Sequence, residues 1–81
     1  MRLDKYLKVS RIIKRRTIAT AICNEGRVLV NDKVAKASTT VKISDILTVN
    51  MGQSPTKIKI TDIKESTKKE DANTMFETIN D

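Results

Sequence analysis

The stretch TIATAICNEGRVLVNDKV, residues 17–34, changes its hydrophobic period halfway along, and that change decides the fold. Up to Asn24 the apolar residues recur at helical spacing: Ile18 and Ile22, and Ala19 and Cys23, are i, i+4 pairs on one compact face. The small Ala19 and Ala21 let such a helix pack closely on its neighbours, and Cys23 reads as a buried apolar residue. Gly26 fits the left-handed position just beyond a helix C-terminus. From there the period is two. Val28 and Val30 alternate, Asn31-Asp32 can take positive φ in a tight turn, and Val34 follows on a second strand.

Upstream, RLDKYLKV (residues 2–9) places Leu3, Tyr6 and Leu7 on one stripe, with Arg2 and Lys5 off it, and predicts a first short helix. SRIIKRR (residues 10–16) breaks that pattern and connects the two helices. Downstream come Val41 and Ile43, a Ser44-Asp45 turn, a strand from Ile46 to Val49, and a loop from Met51 to Pro55. TKIKITDI (residues 56–63) alternates, with Ile58, Ile60 and Ile63 inward and Lys57 and Lys59 on a solvated face. The expectation is an α+β module: two short helices packed on a small, mostly antiparallel sheet. Residues 1–63 would form the domain, with its core motif at 2–49, and residues 64–81 an extension. In that extension Ala72, Met75, Phe76 and Ile79 stand at i, i+3, i+4 and i+7, which predicts a C-terminal helix docked on the domain, with disorder as the alternative.

Composition narrows the function. The 81 residues include one cysteine, so no intramolecular disulfide forms and a reducing cytoplasm is the expected setting. No apolar run approaches the roughly 20 residues that span a bilayer. Histidine is absent, which removes the commonest general base and metal ligand, and no pair of carboxylates is set apart for acid–base work. An enzyme, a metal site and a cofactor are not expected. The charge is lopsided instead. Eleven Lys/Arg face three Asp/Glu in residues 1–42, and five face seven in residues 43–81, within a net charge of +6. A basic half on a small domain is the footprint of a polyanion binder.

The cations also sit where helix stability would not put them. Lys14, Arg15 and Arg16 crowd the start of the second helix and Glu25 lies at its end, both against the helix dipole, at about 0.3–1 kcal/mol each. A phosphate reverses that penalty, because free N–H groups and guanidinium forks converge on it. Tyr6 and Phe76 are the only aromatics, too few for a stacking platform that reads single strands. Folded RNA, read through shape and phosphates, fits best.

Residues 2–49 resemble the RNA-binding module named after small-subunit ribosomal protein four, also called the αL RNA-binding motif. The likeness rests on the opening RLDKYL, an arginine-rich elbow with Arg16 and Ala19, then GRVLVND, then the turn and strand SDILTV. The whole chain is similar to stand-alone members of that family, relatives of the fifteen-kilodalton heat-shock protein. The resemblance implies a cytoplasmic, ribosome-associated binding protein, monomeric off the ribosome and away from membranes. It would act on obstructed large ribosomal subunits carrying peptidyl-tRNA, touching large-subunit rRNA and tRNA while RqcH adds C-terminal alanine tails. RNA-facing positions would be Arg2, Asp4 and Arg16, with Lys5, Lys8, Arg11, Lys14 and Arg15 extending the patch. Asp4, a carboxylate beside RNA, would orient Arg2 or Arg16 or accept from a base or 2′-hydroxyl; equally, it is a charge favourable to its own helix N-terminus. Many members carry a small hydroxyl residue where this chain has Arg15, so the helix cap is lost and a charge gained. Arg27 and Lys36 read equally as RNA contacts or as solvated strand and loop residues. Two further readings are a general large-subunit assembly or heat-shock rescue factor, and the RNA-targeting subunit of an RNA-modifying enzyme. The second of these is weakened because no catalytic domain is expected after residue 49.

Overall fold

Two short helices come first, α1 over Leu3–Val9 and α2 over Arg16–Asn24. The computed structural model describes residues 1–52, 54–64 and 74–79. Each helix buries one stripe at i, i+3, i+4 spacing: Leu3, Tyr6 and Leu7 from α1, and Ala19, Ile22 and Cys23 from α2. Ile18 does not join the second stripe, contrary to the pairing expected from its spacing to Ile22. It is 47% exposed, because one residue step turns a helix by about 100° and it is the small Ala19 that faces inward. The chain leaves α2 through Gly26 at φ 79. The Gly26 and Arg27 N–H groups bond to the carbonyls of Cys23 and Ile22, closing the helix as the glycine predicts.

Five strands follow: β1 Val28–Val30, β2 Lys33–Val34, β3 Ile46–Val49, β4 Thr56–Ile60 and β5 Phe76–Thr78. They form one antiparallel sheet in the order β2-β1-β3-β4-β5. Asn31 and Asp32, at φ 51 and 67, make the β1–β2 turn, and two consecutive positive φ values suit the right-handed strand twist there. The register sets Val28 opposite Val49, and Leu47 opposite both Val30 and Ile58, so the buried residues line up across one face. Thr48, Lys57 and Lys59 take the other face, as alternation requires.

The C-terminal helix is corrected where residues are described: Phe76–Thr78 is a strand, paired with β4 through Ile60↔Phe76 and Ile58↔Thr78. Residues 65–73 and 80–81 of the expected extension lie outside the described residues. The segment TMFETI is rich in β-branched and aromatic residues. It meets an edge strand, β4, whose unpaired N–H and C=O groups need partners. Tertiary pairing therefore overrides the helical spacing at Phe76–Thr78. Met75 is fully buried, and its carbonyl accepts from the Tyr6 hydroxyl at 2.8 Å and from the N–H groups of Thr61 and Asp62. Burial, helped by the Asp62 charge, pushes the Tyr6 phenol well above its ordinary pKa, so it remains a donor.

The α1 N-terminus is held from outside the helix. The Leu3 N–H donates to the Thr39 carbonyl and the Asp4 N–H to Ala37, while the Val41 N–H returns to Met1 and Arg2 bridges to Thr40. The arch at residues 36–41 thus supplies carbonyls to the first turn of α1, whose N–H groups have no partner within the helix. Tyr6→Phe removes one bond that ties β5 to α1 and leaves the Met75 carbonyl two other donors. We expect a loss of about 1 kcal/mol in the unfolding free energy read from denaturant melts; no loss at all would mean that β4 pairing alone holds β5.

Candidate nucleic-acid interface

Arg2 precedes α1 and Arg16 opens α2, and the two meet at Asp4. The Asp4 side chain is 2% exposed, whereas Arg2 and Arg16 are 52% and 47% exposed. Arg2 donates through Nε to Asp4 Oδ1 at 3.2 Å and through a terminal nitrogen to Oδ2 at 3.3 Å. A terminal nitrogen of Arg16 lies 3.5 Å from Oδ1. The Lys5 N–H donates to Oδ1 at 2.8 Å and the Thr20 hydroxyl to Oδ2 at 2.9 Å. The contacts of Asp4 match two of the roles open to it. It serves the first turn of its own helix through Lys5, and it orients both arginines.

The electrostatics follow from that list. Burial by itself raises the Asp4 pKa, but the Thr20 and Arg2 hydrogen bonds, the Lys5 N–H and the Arg16 charge outweigh it, so the net direction is below 3.8. Asp4 is ionised at neutral pH and neutralises one of two guanidinium charges. A net positive charge remains, with both forks half exposed. Cys23, buried nearby on α2, is pushed up to about 11 by burial and then by the Asp4 charge. It is a neutral core thiol, as its spacing suggests.

The elbow between the helices carries the rest of the expected patch. Arg11, Lys14 and Arg15 are exposed, and Lys5 and Lys8 are half-buried along α1. Arg15 is the N-cap of α2 and makes no side-chain cap bond, and the first turn of α2 contains no acid. Where a hydroxyl would cap the helix, this chain places a cation. Arg11 stands at φ 63, a left-handed position that favours glycine, and its N–H closes on the Lys8 carbonyl.

The two second-rank positions separate. Lys36 is exposed on the arch, next to Ala37, whose carbonyl accepts from Asp4 N–H, so it stands at the same end of α1 as Arg2. Arg27 lies beyond the opposite end of α2 from Arg16, its Nε 4.0 Å from Glu25 with both side chains about half exposed. Its neighbours are Asn50, Met51 and Gly52, and it is not part of the Asp4 cluster. Sequence reasoning missed Thr20. The signal was its place four residues after Arg16, one helical turn along the same face.

Residues 1–47 match the family model for the S4 domain. The fold is thus that of a small S4-type RNA-binding domain. A Halalkalibacterium halodurans protein called RQC P-site tRNA stabilizing factor is 53% identical over 77 residues, which cover 95% of this chain and 88% of that one. A Streptococcus pneumoniae protein of the same name is 51% identical over 81 residues, covering 100% and 92%. The trimeric structure of Vibrio cholerae heat shock protein 15 superposes with a TM-score of 0.90 at 29% identity, over 98% of this chain and 81% of that one. The chain belongs to the S4-domain family, in the branch of the RQC P-site tRNA stabilizing factors.

Arg11→Gly should act with opposite signs on stability and binding. Relief of the left-handed backbone raises stability by about 0.5–1 kcal/mol, while RNA affinity falls with the lost cation; urea melts and RNA titrations read the two. A second expectation concerns pH. A carboxyl whose folded pKa is depressed adds stability above its unfolded value and loses it as pH falls through the folded one. Asp4→Asn should therefore be less stable than the parent at neutral pH, by on the order of 1–3 kcal/mol, and the gap should close as pH drops below 3.8.

Proposed function

We propose that this protein acts in bacterial ribosome-associated quality control, bound to obstructed large ribosomal subunits, where it steadies the P-site tRNA through contacts with tRNA and large-subunit rRNA. On this reading it supports RqcH during C-terminal alanine tailing and performs no chemistry of its own. The observation that carries the proposal is the Asp4 cluster: two half-exposed arginines, one from the segment before α1 and one from α2, fixed by one buried carboxylate at the mouth of a basic elbow. Such a fork matches phosphate in geometry as well as charge. A uniformly charged surface would bind polyanions without needing the carboxylate.

The relatives' name supplies the ligand class, tRNA in the P site, and the work it describes is holding, which this surface can do unaided. We assign RNA contact to Arg2, Asp4, Lys5, Lys8, Arg11, Lys14, Arg15 and Arg16. Lys36 joins them from the arch, while Arg27 stands apart. The likeness to heat shock protein 15 favours one second reading, a general rescue factor for large subunits.

Pulling down the tagged protein and identifying its RNA separates the two. Large-subunit rRNA with tRNA, and no small-subunit rRNA, supports quality control; precursor rRNA or both subunits supports the rescue reading. Arg16→Ala should lower co-sedimentation with large subunits by roughly tenfold or more without unfolding the domain. Affinity should fall with salt at a log–log slope of about −0.7 to −0.9 per phosphate neutralised. A flat salt response would overturn RNA binding altogether.

A further inference from the structure

We propose that Thr20 is a positioning residue for RNA binding: its hydroxyl locks the Asp4 carboxylate in the rotation that aims Arg2 and Arg16 at one phosphate. The proposal rests on the reading of the Asp4 cluster as the RNA site. Thr20 is half-buried in the middle of α2, and its Oγ1 lies 2.9 Å from Asp4 Oδ2 and 2.9 Å from the Arg16 carbonyl. A hydroxyl has one proton to give. The ionised carboxylate is the stronger acceptor, so the proton goes to Asp4, and the Arg16 carbonyl is the fallback partner that helical threonines use. Thr20 therefore does not need Asp4 for its own satisfaction. The dependence runs the other way.

The two carboxylate oxygens differ in their support. Oδ1 is anchored by the Lys5 N–H at 2.8 Å and receives both Arg2 Nε and Arg16. Oδ2 has Arg2 at 3.3 Å and Thr20 at 2.9 Å. Without Thr20 the second oxygen keeps one long contact, and the terminal carboxylate torsion, which is broad for Asp, is fixed from the Oδ1 side alone. Arg2 then loses its two-point grip, and Arg16 loses an acceptor of fixed direction. The charges are unchanged but their geometry is not. Threonine is also a poorer helix former than the alanines around it, so helix stability does not explain its presence.

The test compares Thr20→Val, which keeps the shape and removes the donor, with Thr20→Ser, which restores the donor. Binding is read by co-sedimentation with large ribosomal subunits carrying P-site tRNA, and folding by circular dichroism and urea melts. We expect Thr20→Val to bind roughly fivefold to tenfold more weakly, with the log–log salt slope kept, because no phosphate contact is removed. Thr20→Ser should recover most of the loss. In an Asp4→Asn background the Thr20→Val change should have no further effect on binding, since the group it orients is gone. If Thr20→Val binds like the parent, or its loss is undiminished in the Asp4→Asn background, the proposal fails. If the parent itself shows no salt-dependent RNA binding, the functional reading fails first, and Thr20 with it.

Discussion

The buried Asp4 carboxylate is the constraint around which the candidate RNA-binding face is organised. A carboxylate that is 2% exposed is tolerated only when its lone pairs are filled and its charge is matched. Four residues meet that demand, and they come from three places: the N-terminal segment, the first turn of α1, and one face of α2. The arch frees Asp4 for the task. Because Thr39 and Ala37 carbonyls already take the Leu3 and Asp4 N–H groups, the first turn of α1 needs little from the carboxylate beyond Lys5. The remaining capacity points at the arginines. Joining α1 to α2 and orienting two cations are therefore one interaction and not two.

Most of the architecture is legible along the chain because local and tertiary preferences agree there. Gly26 and Asn31-Asp32 take the positive φ values their residue types favour, and Val28, Leu47, Ile58 and Ile60 are buried where alternation puts them. The failures occur where the two preferences diverge. Met75, Phe76 and Ile79 have helical spacing, but an open β4 edge claims the segment, and spacing holds no information about an unpaired edge elsewhere. Ile18 is apolar and correctly spaced from Ile22, yet a two-helix layer has room for one stripe, and Ala19 fills it. At the candidate site, Arg2, Asp4 and Arg16 were readable through the family resemblance. Asp4 alone left two roles open because sequence separates residues that the α1–α2 joint brings within 3.5 Å. Thr20 was invisible for a related reason: a threonine in a helix announces no partner.

The elbow shows how the cost of such a surface is distributed. Arg11 occupies a left-handed backbone position, Arg15 caps a helix without a side-chain bond, and the first turn of α2 has no acid to oppose its cations. Each feature works against stability by an amount on the order of 1 kcal/mol or less. All lie between the end of α1 and the first turn of α2, none in the sheet. The sheet and the inner faces of the helices bury Tyr6, Leu3, Leu7, Leu47, Ile58, Ile60 and Met75 almost completely, and that burial offsets them. β5 adds to this, since its edge pairing and the Tyr6–Met75 bond enlarge a core that a chain this small otherwise fills poorly.

For a protein proposed to hold RNA in place, the order of the arginines matters more than their number. A free arginine surrenders about 2 kcal/mol of rotamer freedom when it is fixed on a ligand. Arg2 and Arg16 are already restrained by Asp4 before any RNA arrives, so much of that loss falls on folding and little on binding. Among the described residues, Lys14 and Arg15 on the elbow make no such contact with an acid and are exposed, suited to steering a polyanion toward the fork. Arg27 illustrates the contrast from the far end of α2. It has the same charge, but its acid, Glu25, is exposed and 4.0 Å away, a pairing too loose to fix direction. Under the proposed function, a recognising arginine differs from a merely attractive one by the burial of its carboxylate partner.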